Sequence, residues 1–317
     1  MNDIQNNDQS SNSNNKFPSY LKFKRLTFYD VIYEVIKPTV LFTNEEKIHF
    51  VLSNENISQI TANRHIPGDE NRNNYQLQIR IGQLESKVTS LNEVTDYFPQ
   101  GLNIHVNTIP CTLPSVRPKP GIAPGRLLVA PIDCTKLVKL TPNTENTISI
   151  KWTPDTKTYA VVMCIVNKLT ARTLFENLLN KERINMEKTR DEIFKLLKND
   201  NDPDLAITSI TLSLICPLTK IKMFAPTKSS RCDHFECFDG YTFIKMNEIK
   251  EKWRCPICNL DCFYEDLKID NYILSILNNP TIKTDPIGKK ITSVQISPNN
   301  GCEISVNHDE IITLDDD

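Results

Sequence analysis

Four residues in the second half of the chain have the types and spacing for metal chemistry: Cys232 and His234, one residue apart, and Cys255 and Cys258, two apart. Three thiols and an imidazole in two close pairs form the donor set of one tetrahedral structural zinc. Such short spacings let both members of a pair turn inward from one tight loop, and the longer segment between the pairs leaves room for a helix. The same donor set also serves zinc knots that only stabilise a small domain, and fingers that bind nucleic acid. Lys220, Lys222, Lys228 and Arg231 form a basic stretch here, but Asp233, Glu236 and Asp239 dilute it and no series of stacking aromatics accompanies it. No nucleophile–base pair, phosphate-cradling glycine loop or paired-carboxylate site appears, so no catalytic residue is assigned.

The rest of the chain must position this cluster. Its 317 residues suggest about two domains. A net charge of -2 with 39% hydrophobic residues argues against both a nucleic-acid coat and a chain disordered throughout. No apolar run approaches the roughly 20 residues of a membrane span, and the N-terminus lacks a signal-peptide layout. A soluble intracellular protein with no membrane partner is expected. Six of the ten cysteines fall between Cys216 and Cys262, while Cys111, Cys134, Cys164 and Cys302 are scattered. That distribution fits reduced thiols and one metal site better than a disulfide framework.

Residues 1–17, rich in Asn, Ser, Gln and Asp, read as a disordered tail. Phe28, Val31, Ile32, Val35 and Ile36 recur at helical spacing before Pro38 and predict a helix. Alternating runs follow: Ile48, Phe50, Leu52; Tyr75, Leu77, Ile79, Ile81; Leu102, Ile104, Val106; and Ile148, Ile150, Trp152. With the continuous apolar run from Tyr159 to Val166 they predict a β-sandwich-like domain over residues 18–169. The proline-rich loop between Pro110 and Pro131, carrying Arg117, Lys119 and Arg126, reads as a stiff solvated connection. Residues 170–202 predict a helical spacer with Leu174, Leu178, Ile193, Phe194 and Leu197 on apolar faces. A strand through Ile210, Leu212 and Leu214 then delivers Cys216 to a finger over residues 203–281. Within it Phe243, Ile244 and Met246 predict a helix between the ligand pairs, and Tyr272, Ile273, Ile276 and Leu277 a short closing helix. Residues 282–317 read as a flexible tail. The fold class is α+β.

The runs Cys232-Asp233-His234-Phe235-Glu236-Cys237-Phe238-Asp239-Gly240 and Trp253-Arg254-Cys255-Pro256-Ile257-Cys258 resemble the SP-RING (MIZ) finger of the Siz/PIAS family of SUMO ligases. A RING finger interleaves two zinc sites drawn from eight ligand positions. Beside Cys216 and Cys237, the expected partner positions hold Thr219 and Gly240, which cannot complete a shell. One zinc per chain is therefore expected, with the metal-free lobe held by Ile215, Leu218, Phe235 and Phe238. Pro131-Ile132-Asp133-Cys134-Thr135 is similar to the PINIT motif that names the family's substrate-binding domain, with Asp133 and Cys134 as departures from it.

The resemblance implies an E3 ligase that binds a SUMO-charged conjugating enzyme and positions it for transfer to substrate lysines, with nuclear substrates and a nuclear location. It places the conjugating enzyme at Leu218, Trp253 and Pro256, in the shallow groove between the two metal loops. Ile311, Ile312 and Leu314 running into Asp315, Asp316 and Asp317 have the form of a SUMO-interacting motif, which adds to the modifier as an extended strand. No SAP helical module is seen, so direct DNA binding is not carried over. A different class of function uses the same finger: a non-catalytic nuclear adaptor that only recruits transcription or chromatin partners. A competent groove around Leu218 separates the two.

Overall fold

The computed structural model describes residues 21–62, 74–84, 93–114, 129–197, 209–284, 291–297, 303–306 and 310–312. The chain divides into two compact units, Met1–Lys168 and Leu169–Asp317.

The first unit contains β1 (Lys22–Phe23), β2 (Tyr29–Leu41), β3 (Glu45–Val51), α1 (Asn54–Thr61), β4 (Tyr75–Leu84), β5 (Glu93–Asp96), β6 (Asn103–Val106), β7 (Ile109–Pro110), β8 (Ile132–Asp133), β9 (Glu145–Lys151) and β10 (Thr158–Lys168). One sheet runs β1-β5-β4-β10-β2 with β8 added to β4, and a second runs β3-β9-β6-β7. Strand β10 lies inside the first sheet and is covered on both faces, as its unbroken apolar run requires. Between the sheets, Leu77, Ile79 and Ile81 meet Ile104, Ile148, Ile150, Tyr159 and Met163, all at most 1% exposed.

The segment read as a helix from Phe28 to Ile36 is strand. Residues Tyr29–Leu41 pair with β10, and the register shifts three times along the ladder. Each bulge adds a residue to β2 and breaks its alternation, which leaves apolar residues spaced as on a helix. Val, Ile and Tyr suit a strand, and Pro38 is tolerated because β2 is an edge strand. The PINIT-like motif is stitched into the same sheet. Ile132 pairs with Ile79, the Cys134 N–H donates to the Leu77 carbonyl at 2.9 Å, and the Thr135 hydroxyl accepts from the Leu77 N–H at 2.9 Å. Ile132 and Cys134 are fully buried, so these two hold the sheet together and are closed to contact from outside.

The second unit opens with α2 (Ala171–Leu179) and α3 (Met186–Leu197), then β11 (Ile210–Ser213), β12 (Pro226–Ser229), β13 (Phe238–Asp239), α4 (Gly240–Ile249), β14 (Leu267–Ile269), α5 (Asn271–Asn278), α6 (Pro280–Lys283), β15 (Ser293–Ser297), β16 (Glu303–Val306) and β17 (Glu310–Ile312). The helices read as a spacer are bolted to the finger. The Tyr264 hydroxyl donates to the Leu174 carbonyl at 2.8 Å, Lys181 Nζ to the Tyr264 carbonyl at 2.9 Å, and the Thr189 hydroxyl to the buried Asp270 carboxylate at 2.9 Å. The segment read as a flexible tail supplies β15, β16 and β17, which extend from β11 in a four-stranded sheet. Among the described residues no helix is long and apolar enough to cross a membrane, and nine cysteines are free thiols.

Residues 1–17, Arg117, Lys119, Arg126, Cys302, Leu314, Asp315, Asp316 and Asp317 lie outside the described residues.

Candidate metal centre

Two loops of the second unit are built to one plan. Each begins Cys-Pro, at Cys216-Pro217 and Cys255-Pro256. In the first, the Lys220 N–H closes back on the Cys216 carbonyl at 2.9 Å and the Cys216 N–H donates to Ile221 at 2.8 Å. In the second, Asn259 closes on Cys255 at 3.0 Å and Cys255 donates to Leu260 at 2.9 Å. The residue four places after each cysteine has φ +59° in both, a left-handed conformation that lets the loop fold back beneath the thiol. Both loops thus have the shape of a metal knuckle, and only the second carries two cysteines.

That loop brings Cys255 and Cys258 to Cys232 and His234, with all four donor atoms within 4.8 Å of one another. The Cys232 and Cys258 sulfurs are 3.7 Å apart, and His234 Nε2 lies 3.3 Å from the Cys255 sulfur. Around a tetrahedral zinc with Zn–S near 2.3 Å, the S···S edge is about 3.8 Å and the N···S edge about 3.6 Å. The cluster therefore has the donor chemistry and the dimensions of a zinc site. His234 Nδ1 sits 3.0 Å from the Glu236 carbonyl, which takes the ring proton there and leaves the Nε2 lone pair for a metal. The Cys232 thiol is pushed up to about 12 by burial first, then by Cys258 and Cys255, whereas the Leu260 N–H lowers that of Cys258. Thiolates crowded this closely need a cation between them to ionise together.

The other lobe is held by hydrogen bonds. The Cys216 sulfur accepts from the Asp239 N–H at 3.2 Å, and burial raises the Cys237 thiol well above its ordinary value. The centre of this lobe is the buried Asp239 carboxylate. It accepts from the N–H groups of Phe224 (2.9 Å), Ala225 (3.1 Å) and Thr242 (3.0 Å) and from the Thr242 hydroxyl (3.0 Å), while capping α4. A Cβ at Gly240 would lie 2.5 Å from Thr227 Oγ1, so the position cannot carry even a small side chain without displacing its neighbours. Asn247, buried on α4, accepts from Lys252 N–H (2.9 Å) and Trp253 N–H (2.8 Å) and holds Trp253 at φ +46°.

Of the residues expected to meet the conjugating enzyme, Leu218 and Pro256 are half-buried near the tips of the two matching loops. Trp253 is not at that surface. It is 4% exposed and packs edge-on against Phe243 and Tyr264, because the entrance to the second loop needs a large apolar anchor beneath it. Met246, expected inside, is 51% exposed, and Asn247 takes the buried position. Sequence reasoning missed Asp239, Asn247 and Asp270. An Asp three residues before Thr242, at the start of an apolar helix, was the one signal available. Ile311 and Ile312 lie in β17, opposite Ser305 and Ile304 of β16.

A β-rich unit followed by a finger with one Cys/His cluster and one matching loop built on Asp239 defines a two-part PINIT and SP-RING protein. Two family models match accordingly, the PINIT domain over residues 20–167 and the MIZ/SP-RING zinc finger over residues 212–261. The chain is 35% identical over 266 residues to E3 SUMO-protein ligase PIAS3 of Mus musculus, covering 81% of this chain and 42% of the mouse protein. It is 34% identical over 272 residues to E3 SUMO-protein ligase PIAS2 of Homo sapiens, covering 82% and 42%. The chain thus spans less than half the length of these curated relatives. The crystal structure of the S. cerevisiae SUMO E3 ligase SIZ1 superposes with a TM-score of 0.65 at 21% identity, covering 90% of this chain and 94% of that one. This chain belongs to the Siz/PIAS family.

Proposed function

We propose that this chain is a SUMO-protein ligase that binds one zinc at Cys232, His234, Cys255 and Cys258. It docks a SUMO-charged conjugating enzyme on its paired loops at Leu218 and Pro256. The carrying observation is the pair of matching knuckles, one with a full ligand set and one held by Asp239, in a chain 35% identical to a PIAS ligase. Zinc supplies cross-linking of the finger and no redox chemistry. The protein's contribution to transfer is geometric: holding the charged enzyme and the substrate lysine together replaces an encounter in solution with a positioned reaction. Substrates are nuclear proteins selected by the PINIT unit, and the ligase works in the nucleus, as its relationship to the PIAS proteins suggests.

The motif from Ile311 to Asp317 binds SUMO in this reading. The support is that Ile311 and Ile312 have extended backbone in β17, the end strand of its sheet among the described residues, where strand addition is open. A reconstituted reaction with purified activating enzyme, conjugating enzyme, SUMO and a nuclear substrate tests the proposal. Transfer stimulated by the chain and lost with Cys232→Ser supports it; unstimulated transfer rejects it in favour of an adaptor. Replacing Ile311, Ile312 and Leu314 by Ala should abolish SUMO binding, and unchanged binding rejects the motif.

A further inference from the structure

On the second unit, α2, α5, β14 and residues 222–225 enclose a groove of about 500 Å³ that no step above uses. Its floor is aliphatic, with Leu179, Leu274 and Leu277 contributed by the two helices. One wall is Phe224, which is 75% exposed on a backbone that cannot turn away, because its N–H is fixed to Asp239. The Phe224 ring lies 6.5 Å, centroid to centroid, from the Phe175 ring at a tilt of 54°. A large, exposed aromatic on a held backbone beside leucines is a surface suited to burial against another molecule.

The charges at the rim identify the partner's chemistry. Arg183, Lys222 and Lys283 line the groove, and among the described residues no carboxylate does. Arg183 donates to the Leu179 carbonyl at 3.3 Å and Lys222 Nζ to the Ile282 carbonyl at 2.8 Å, so two of the three cations are held at the edge of the floor. An extended peptide has no strand to join here, because the outer edge of β14 is taken by Ile184, whose N–H donates to the Ile269 carbonyl at 2.9 Å. We infer that this groove docks an acidic amphipathic helix of a partner protein. Its apolar face lies on the leucines and Phe224, and its carboxylates meet Arg183, Lys222 and Lys283. The site is separate from the metal cluster and from Leu218 and Pro256, so it would recruit a partner without occupying the loops assigned to the conjugating enzyme.

The test uses the full zinc-loaded chain and a fluorescein-labelled amphipathic peptide with leucines on one face and glutamates on the other, followed by anisotropy. A matched peptide with glutamine in place of glutamate controls for charge. Saturable binding should weaken with salt and fall about tenfold or more in the Arg183→Glu, Lys283→Glu double variant. Both residues are exposed, so this variant keeps its fold and zinc content, and the question stays answerable if Phe224→Ala proves unstable. No saturable binding, equal binding of the glutamine peptide, or an unaffected double variant overturns the inference. Sedimentation showing that the chain dimerises through this face also overturns it. SUMO transfer without the peptide is unchanged in the double variant, so failure here is distinct from failure of the ligase assignment.

Discussion

Cys232 and Cys216 are both buried thiols in one small finger, yet they hold different things. Cys232 is one of four converging donors, and removing it leaves three thiols or imidazoles around a metal that needs four. Cys216 only accepts a hydrogen bond from the Asp239 N–H, a role a serine oxygen takes over in part. Cys232→Ser should therefore abolish zinc retention and collapse the finger, since structural zinc contributes on the order of 10 kcal/mol to such domains. Cys216→Ser should keep one zinc per chain and cost about 1–2 kcal/mol. Metal analysis of the two variants beside thermal melts decides this, and two zincs in the native chain would contradict the one-site reading. The scattered thiols of the first unit answer to a different probe. Burial raises Cys111 to about 11 and Cys164 to about 12, so at neutral pH few molecules carry the reactive thiolate. Both should resist iodoacetamide in the folded chain and react once it is unfolded, with mass spectrometry reading the sites.

At the scale of the element, α4 and the first of the two loops depend on a polar side chain. Asp239 caps α4 and also gathers the Phe224 and Ala225 amides, so Asp239→Ala removes several charge-assisted bonds from a buried site. A loss of about 3–5 kcal/mol is expected, with zinc still bound at the other lobe, measurable by denaturant titration with parallel metal analysis. The burial of Trp253 separates two roles that adjoin in sequence. Leu218→Ala should weaken binding of the conjugating enzyme with little change in melting temperature. Trp253→Ala should lower stability by about 3–5 kcal/mol, because it empties the space between Phe243 and Tyr264. If Trp253→Ala instead spared stability and only lost enzyme binding, the packing described around Trp253 would be wrong.

The molecule as a whole is two units with separate cores, and their stabilities should respond separately. In the first, Arg80 forks onto the Asp96 carboxylate with both side chains under 10% exposed, and also donates to the Lys24 carbonyl at 2.7 Å. Arg80→Ala strands a buried carboxylate and should cost about 3–5 kcal/mol. That loss should appear in the unfolding of the first unit, while zinc content and the chelator-sensitive transition of the finger stay as in the native chain. A single transition shifting as one would show that the units do not unfold independently.

The clustering of Cys232, His234, Cys255 and Cys258 was readable from the chain, because residue type and short spacing are local properties. So were the buried strand Thr158–Lys168, an unbroken apolar run, and the helix Asn271–Asn278 with Tyr272, Ile273, Ile276 and Leu277 on its buried face. The same pattern marks Gly240–Ile249 as a helix but puts Met246 on the wrong face. Local pattern misled where tertiary pairing alters the count: three register shifts against β10 gave β2 the spacing of a helix. It was also silent on what holds the first loop, since the four donors that meet Asp239 come from residues up to fifteen positions away and converge only when the loop folds back on α4. The distinction between Trp253 and Leu218, and the groove beside Phe224, likewise depend on which faces the packed chain covers. Ligand chemistry is carried by residue type and neighbour spacing, whereas burial and convergence of distant side chains exist only after the chain has folded.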